Sequence, residues 1–180
     1  MSIEVHILPE CYIDTAVVNK LMAKEGIYVK ANHCHGCNKV GNTMLNNLKD
    51  DFALGVIDND KMQHSYNDEF LLIAATKHLE LLKHSKKHHY LIRVTPAMDG
   101  FILDLAEKNG VDMKDYGLPD SLKEFTKLTK SVDVGENKNM KRLFEGLMDD
   151  NEMVIFRKLL KYLYEKRFQA VEEELKALMV

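Results

Sequence analysis

Phe52-Ala53-Leu54-Gly55-Val56-Ile57 is a nearly continuous apolar run that stops at Asp58-Asn59-Asp60. A run of this length reads as a strand buried on both faces, the pattern of a parallel sheet with helices on either side. An acidic pair at its carboxyl end lies where open α/β sheets collect ligands and metals. Toward the amino terminus, Val40, Met44, Leu45 and Leu48 recur at helical spacing. Residues 32–38 form a polar loop before them, and Ile27-Tyr28-Val29 opens a strand over 27–31. Ile13, Val17 and Leu21 mark a helix over 12–24 that Gly26 ends. Residues 3–9 alternate and are rich in β-branched side chains, so they read as the first strand. That strand ends at Pro9-Glu10, with Asp14 four residues beyond. The order is β-α-β-α-β, and connections this short imply parallel strands joined by right-handed crossovers.

Toward the carboxyl terminus the pattern changes. Residues 67–83 are rich in Leu, Ile and Ala without a clear period. Tyr90-Leu91-Ile92-Arg93-Val94 reads as a strand that Pro96 stops. The remainder is helical. Met98, Phe101, Ile102 and Leu105 form one stripe. Ser121-Leu122-Lys123-Glu124 has the form of a capping box opening a helix with Phe125 and Leu128. Met140, Leu143, Phe144 and Leu147 form another stripe, and Phe156, Leu159, Leu160 and Leu163 a third. Residues 131–139, with Gly135, are the linker candidate. The expected architecture is α/β: residues 1–110 form a mainly parallel sheet flanked by helices. Residues 111–180 form a helical portion packed on one face of that sheet, within the same domain.

Composition bounds the function. The 180 residues suit one domain, and a hydrophobic content of 46% is enough for a sizeable core. A formal net charge of −3 gives no general attraction for nucleic acid, so such contact needs a local basic patch. Three cysteines do not make a disulfide framework. With no signal peptide and no apolar stretch of ~18 residues, the chain reads as cytoplasmic, with no membrane partner.

Two strand tips carry the chemistry. Glu10, Asp14, Asp58 and Asp60 are oxygen donors suited to Mg²⁺ or Mn²⁺. Such a metal lowers the pKa of bound water or stabilises a phosphoryl oxygen, and Glu10 is placed for acid–base work. The plainer reading is a polar turn after a strand, with Asp14 favouring a helix amino terminus. Asn32-His33-Cys34-His35-Gly36-Cys37 packs zinc-type ligands, but the second pair of a structural zinc site is missing. A loop entering a helix is the plainer account. In the layout of the family that the chain resembles, given below, this loop would sit beside Glu10, where His33, His35 and Lys39 would contact a phosphate. Lys83-His84-Ser85-Lys86-Lys87-His88-His89 is the densest basic stretch. Lys61, Lys86, Lys87 and Arg93 complete the candidate substrate-binding cations, against the alternative of a solvated loop lacking the aromatics that stack bases.

The arrangement resembles the Toprim domain, the catalytic fold of topoisomerases, DnaG-type primases and the OLD and RloB-like nucleases. In that family a Glu ends the first strand and an Asp-x-Asp follows the third. Glu10 and Asp58-Asn59-Asp60 hold those places here. Nuclease-like members often read Glu-Gly-x-Thr-Glu at the first site. Glu10-Cys11-Tyr12-Ile13-Asp14 keeps the two acids and lacks the Gly and Thr. Thr95-Pro96-Ala97-Met98-Asp99 looks like the Pro-acid element that leads into a helix in small bacterial members, with Asp99 in the acidic place. The resemblance spans about residues 3–105. It implies Mg²⁺-dependent phosphodiester chemistry on nucleic acid, with or without a partner ATPase. Glu10, Asp58 and Asp60 would be the catalytic residues, with Asp14 as a further metal ligand and Asp99, His33 and His35 in support. The alternatives from other classes are a non-catalytic binding module of the same fold and a zinc-binding protein built on His33, His35 and Cys37.

Overall fold

The computed structural model describes residues 2–59 and 64–180. The first strand is broken at Val5-His6 into β1 (Ile3–Glu4) and β2 (Ile7–Pro9), where Glu4 Oε1 accepts the His6 N–H at 3.1 Å. Then come α1 (Tyr12–Lys24), β3 (Lys30–Ala31) and α2 (Cys37–Asn42), which runs on into a π-helical turn over Thr43–Asn47. β4 (Ala53–Asp58) is followed by β5 (Phe70–Ala75), β6 (Leu79–His84) and β7 (His89–Val94). The chain ends in α3 (Met98–Lys108), α4 (Leu122–Thr129), α5 (Lys138–Leu147), α6 (Asn151–Lys166) and α7 (Glu172–Leu178).

The main sheet has the order β2-β4-β7-β6-β5. β2, β4 and β7 are parallel, while β6 and β5 run antiparallel. The expectation of a mainly parallel sheet is therefore corrected to a mixed one. The segment without a clear period is the β5–β6 hairpin. β5 is an edge strand whose Leu71 and Leu72 are exposed, so neither helical nor alternating burial shows in its sequence. The strand expected over 27–31 is only Lys30–Ala31, and it pairs with β1 in a separate two-stranded parallel sheet. The chain beyond it nonetheless stays beside β2. Asn32 N–H donates to Ile7 O at 2.8 Å, Cys34 N–H to Pro9 O at 3.0 Å and Gly36 N–H to Glu10 O at 2.8 Å.

β4 is buried on both faces, as its apolar run requires. Leu54 and Val56 join the larger core with Ile92, Phe101, Phe144 and Phe156. Ala53 and Ile57 join a smaller core under Val40 and Met44. Gly55 lets α2 approach, because a Cβ there would lie 2.6 Å from Leu91 Cδ2 and 2.9 Å from Val40 Cγ1. The larger core draws on residues of both the sheet and the helices that follow it. Residues 131–139 are not a loose linker. Val134 is buried, and Gly135 lies against Ala16 of α1. α4 begins after Ser121 as expected, but Ser121 makes no side-chain cap and Glu124 pairs with Lys127 at 2.7 Å, so the capping box is not formed.

The basic stretch 83–89 is a hairpin turn with two buried histidines. His89 Nε2 donates to Leu48 O at 2.9 Å, and Nδ1 accepts from the Tyr66 hydroxyl at 2.6 Å. His84 Nδ1 accepts the Lys86 and Lys87 N–H groups at 3.0 and 3.2 Å, while Nε2 donates to Glu69 at 3.1 Å. Burial holds His78, His84 and His89 below the usual histidine range. Each is neutral in the fold and gains a proton on unfolding near pH 6.5, its ordinary value of about 6.5 being restored. Their contribution is full above that pH and falls as pH drops toward the folded values, since there the unfolded chain binds more protons. Asp14, raised by burial, acts the opposite way, so the histidine effect is read in an Asp14→Asn background. Denaturant unfolding is expected to show lower stability at pH 5 than at pH 7. Equal stability would count against neutral buried imidazoles.

Candidate acidic site at the strand tips

β2 and β4 are neighbours in parallel register, Pro9 opposite Val56, and Glu10 N–H continues the ladder to Val56 O at 2.9 Å. Their carboxyl ends therefore place Glu10 beside Asp58. Glu10 Oε2 accepts the Asp58 N–H at 3.1 Å. Asp58 is the last residue of β4 rather than a residue beyond it, and its Oδ1 accepts the Met98 N–H at 2.9 Å. One carboxylate thus holds the amino end of α3 against the strand tip.

Asp14 lies in the first turn of α1 and is fully buried. Its Oδ2 accepts the Cys11 N–H at 2.9 Å, while Oδ1 has no hydrogen-bond partner among the described residues. Burial pushes its pKa well above the carboxylate range, and the charge of Asp58 adds to the rise, followed by that of Glu10. Burial, then Asp14, also pushes up the Cys11 thiol, so this cysteine is no thiolate nucleophile. Asp99, in the first turn of α3, likewise has a buried Oδ1 without a partner among the described residues.

Cys11, Tyr12, Asp58 and Asp99 open onto a pocket of about 530 Å³ whose far wall includes Leu122 and Thr126 of α4. α4, whose apolar stripe has the spacing of a core helix, thus also faces this pocket. Its one local signal is Leu122, which the apolar stripe includes but the fold leaves 53% exposed.

The remaining candidates separate. Asp60 and Lys61 lie outside the described residues. Lys39 is exposed on α2. Lys86 and Lys87 precede β7, whose His89 stands opposite Ala53, so they flank the amino end of β4. A strand of six residues separates that edge from Asp58, ~20 Å at the rise of an extended chain. Lys87 Nζ donates there to Lys49 O at 2.8 Å. The candidate substrate-binding residues Lys86 and Lys87 therefore lie at the end of β4 opposite the acidic tips. Arg93 stands opposite Ile57, and its guanidinium pairs with Glu80 at 2.6 Å.

The loop after β3 is tightly bonded. His33 Nδ1 lies 2.9 Å from Thr15 Oγ1, and its Nε2 lies 3.0 Å from His35 Nδ1. Cys34 Sγ contacts Asn32 O at 3.4 Å, and burial pushes its thiol pKa up to about 11. Asn67 Nδ2 lies 3.9 Å from Cys37 Sγ. Among the described residues, no three His, Cys, Asp or Glu side chains are gathered so as to hold a metal ion. In the loop, both His33 nitrogens and His35 Nδ1 are already engaged. For a hard cation the chemistry of the acidic donors fits, with two orphaned carboxylate oxygens in Asp14 and Asp99, but the described carboxylates do not surround one point.

These features define an α/β protein with carboxylates at two adjacent parallel strand tips. Comparison with family models, with curated proteins and with solved structures gives no match. Among the described residues, no helix is long and apolar enough to cross a membrane.

Proposed function

We propose that this chain is a metal-dependent nuclease, or a related phosphodiester phosphotransfer enzyme, of Toprim-like organisation acting on nucleic acid. The observation that carries the reading is the Glu10 Oε2 to Asp58 N–H bond of 3.1 Å between neighbouring parallel strands, with buried Asp14 behind it. Burial, and then the charge of Asp58, forces Asp14 toward its neutral form, the kind of perturbation that clusters at functional sites. Mg²⁺ or Mn²⁺, when bound, would stabilise charge on a phosphodiester oxygen. Asp58 and Asp14, with Asp60, would hold it. Glu10 exchanges a proton with the attacking water or the leaving oxygen. Tyr12 and the pocket beneath α4 offer an apolar wall for a base or sugar.

The test is metal binding and cleavage by the Asp58→Asn variant. Asn keeps an oxygen for the Met98 N–H, so α3 stays in place, whereas Ala would remove that bond. Mn²⁺ affinity by calorimetry and cleavage of DNA and RNA are both expected to fall, by ~10²-fold or more for a residue of this kind. Unchanged affinity removes Asp58 from the site. The ungathered carboxylates favour a second reading, a non-catalytic module that binds nucleic acid. Nucleic-acid binding without cleavage, with or without metal, selects it.

A further inference from the structure

The two edges of the main sheet differ. β2, at one edge, is lined by the chain beyond β3, which donates to the carbonyls of Ile7, Pro9 and Glu10. β5, at the other, leaves Leu71 and Leu72 65% and 58% exposed. From Phe70 to Thr76 the sequence holds neither a charge nor a proline. Those are the residues with which edge strands are normally kept from pairing with other chains.

The backbone shows what this edge offers. Residues of an antiparallel pair alternate between those that bond across it and those that turn outward. Ser85 N–H donates to Glu69 O at 3.1 Å, and Thr76 N–H donates to Leu79 O at 2.8 Å. Alternation from the first of these turns Phe70 and Leu72 outward, and alternation from the second turns Ala75 outward. The two are reconciled by the register shift between Leu72 and Ala74. Without that shift Phe70 and Ala75 would face opposite ways. With it they share the open edge. The Phe70 N–H is given to Asn67 O, so this residue offers its carbonyl, while Ala75 offers an N–H as well. The run is bracketed by opposite charges. Asp68 precedes it and is exposed. Lys77 follows it, its side chain 75% exposed with Nζ 3.8 Å from Asp104.

We propose that β5 pairs with β5 of a second copy of this chain, antiparallel about a two-fold axis, so that two five-stranded sheets become one. With the axis between Leu72 and Ile73, Phe70 of each copy stands opposite Ala75 of the other, and each Ala75 N–H meets a Phe70 carbonyl. The same register sets Asp68 opposite Lys77 at both ends. Backbone groups and side-chain charges thus select one register, whereas a parallel copy would set Asp68 beside Asp68 and Lys77 beside Lys77. The contact uses the same patch on both copies and closes as a dimer. It covers Leu71 and Leu72 but little else, which places it at the small end of specific interfaces. The acidic tip of β2 lies at the opposite edge and stays open, so the dimer does not depend on the nuclease reading.

Sedimentation velocity of the full chain over a wide range of protein concentration is the test. The mass is expected to rise from the 20.7 kDa of one chain to twice that. Leu72→Lys, at a position exposed in the single copy, brings two ammonium groups near the axis. It is expected to abolish the dimer with an unchanged far-ultraviolet circular dichroism spectrum. Asp68→Lys and Lys77→Asp are each expected to weaken association ~10-fold, since each turns two exposed ion pairs into like-charge pairs. The double variant carrying both changes restores opposite charges at both ends and is expected to regain the dimer. A chain that stays monomeric throughout, a dimer that survives Leu72→Lys, association that runs on past two copies, or a double variant that associates no better than the single ones overturns the inference.

Discussion

Glu10→Gln is expected to lower metal-dependent cleavage by ~10²–10⁴-fold, the range for loss of a positioned acid or base, while the chain stays folded. Gln keeps an oxygen that can accept the Asp58 N–H, so the bond between the tips of β2 and β4 survives. What is lost is a charge and an exchangeable proton. Cleavage rates of wild type and variant in Mn²⁺, alongside their thermal melting, separate the two effects. Activity that persists undiminished would place the chemistry elsewhere. The wild-type activity should also weaken with added salt, since phosphate contacts release counterions. Lys86 and Lys87 should contribute little to that dependence, because they flank the opposite edge of the sheet.

Phe101→Ala is expected to cost ~3–5 kcal/mol of stability, the usual range for an aromatic cavity in a core. Phe101 is fully buried in α3, with its ring 5.4 Å from that of His78. The same helix starts on the Asp58 carboxylate. A domain of this size is stable by ~5–15 kcal/mol, so the loss is a large share. Denaturant unfolding measures it, with Leu122→Ala as the control. Leu122 is 53% exposed, and a surface change of that kind stays within ~0.5 kcal/mol. A cost below that of the control would mean that α3 is not anchored as described.

Much of the fold was legible because it follows from local periodicity. The apolar run at 52–57 became β4, buried on both faces. The stripes beginning at Met98, Met140 and Phe156 fall on α3, α5 and α6. The hairpin of β5 and β6 was not legible, because an edge strand need not alternate. The short reach of β3 was hidden for a related reason: Tyr28 is exposed although Ile27-Tyr28-Val29 has strand composition. In the basic stretch, composition alone cannot tell a solvated histidine from one whose nitrogens are both satisfied. His84 and His89 are of the second kind.

The sequence by itself determined that strands end in acids at Glu10 and Asp58, since a strand and its terminus are set by consecutive residues. It also determined which helix faces are apolar. Only the tertiary structure decided that the two tips adjoin, that Asp14 is buried behind them and that Lys86 and Lys87 are on the far edge. Those relations depend on strand order and register, which join residues some fifty positions apart. The contact of Thr15 with His33, and of His33 with His35, is likewise tertiary, since it joins α1 to the loop after β3.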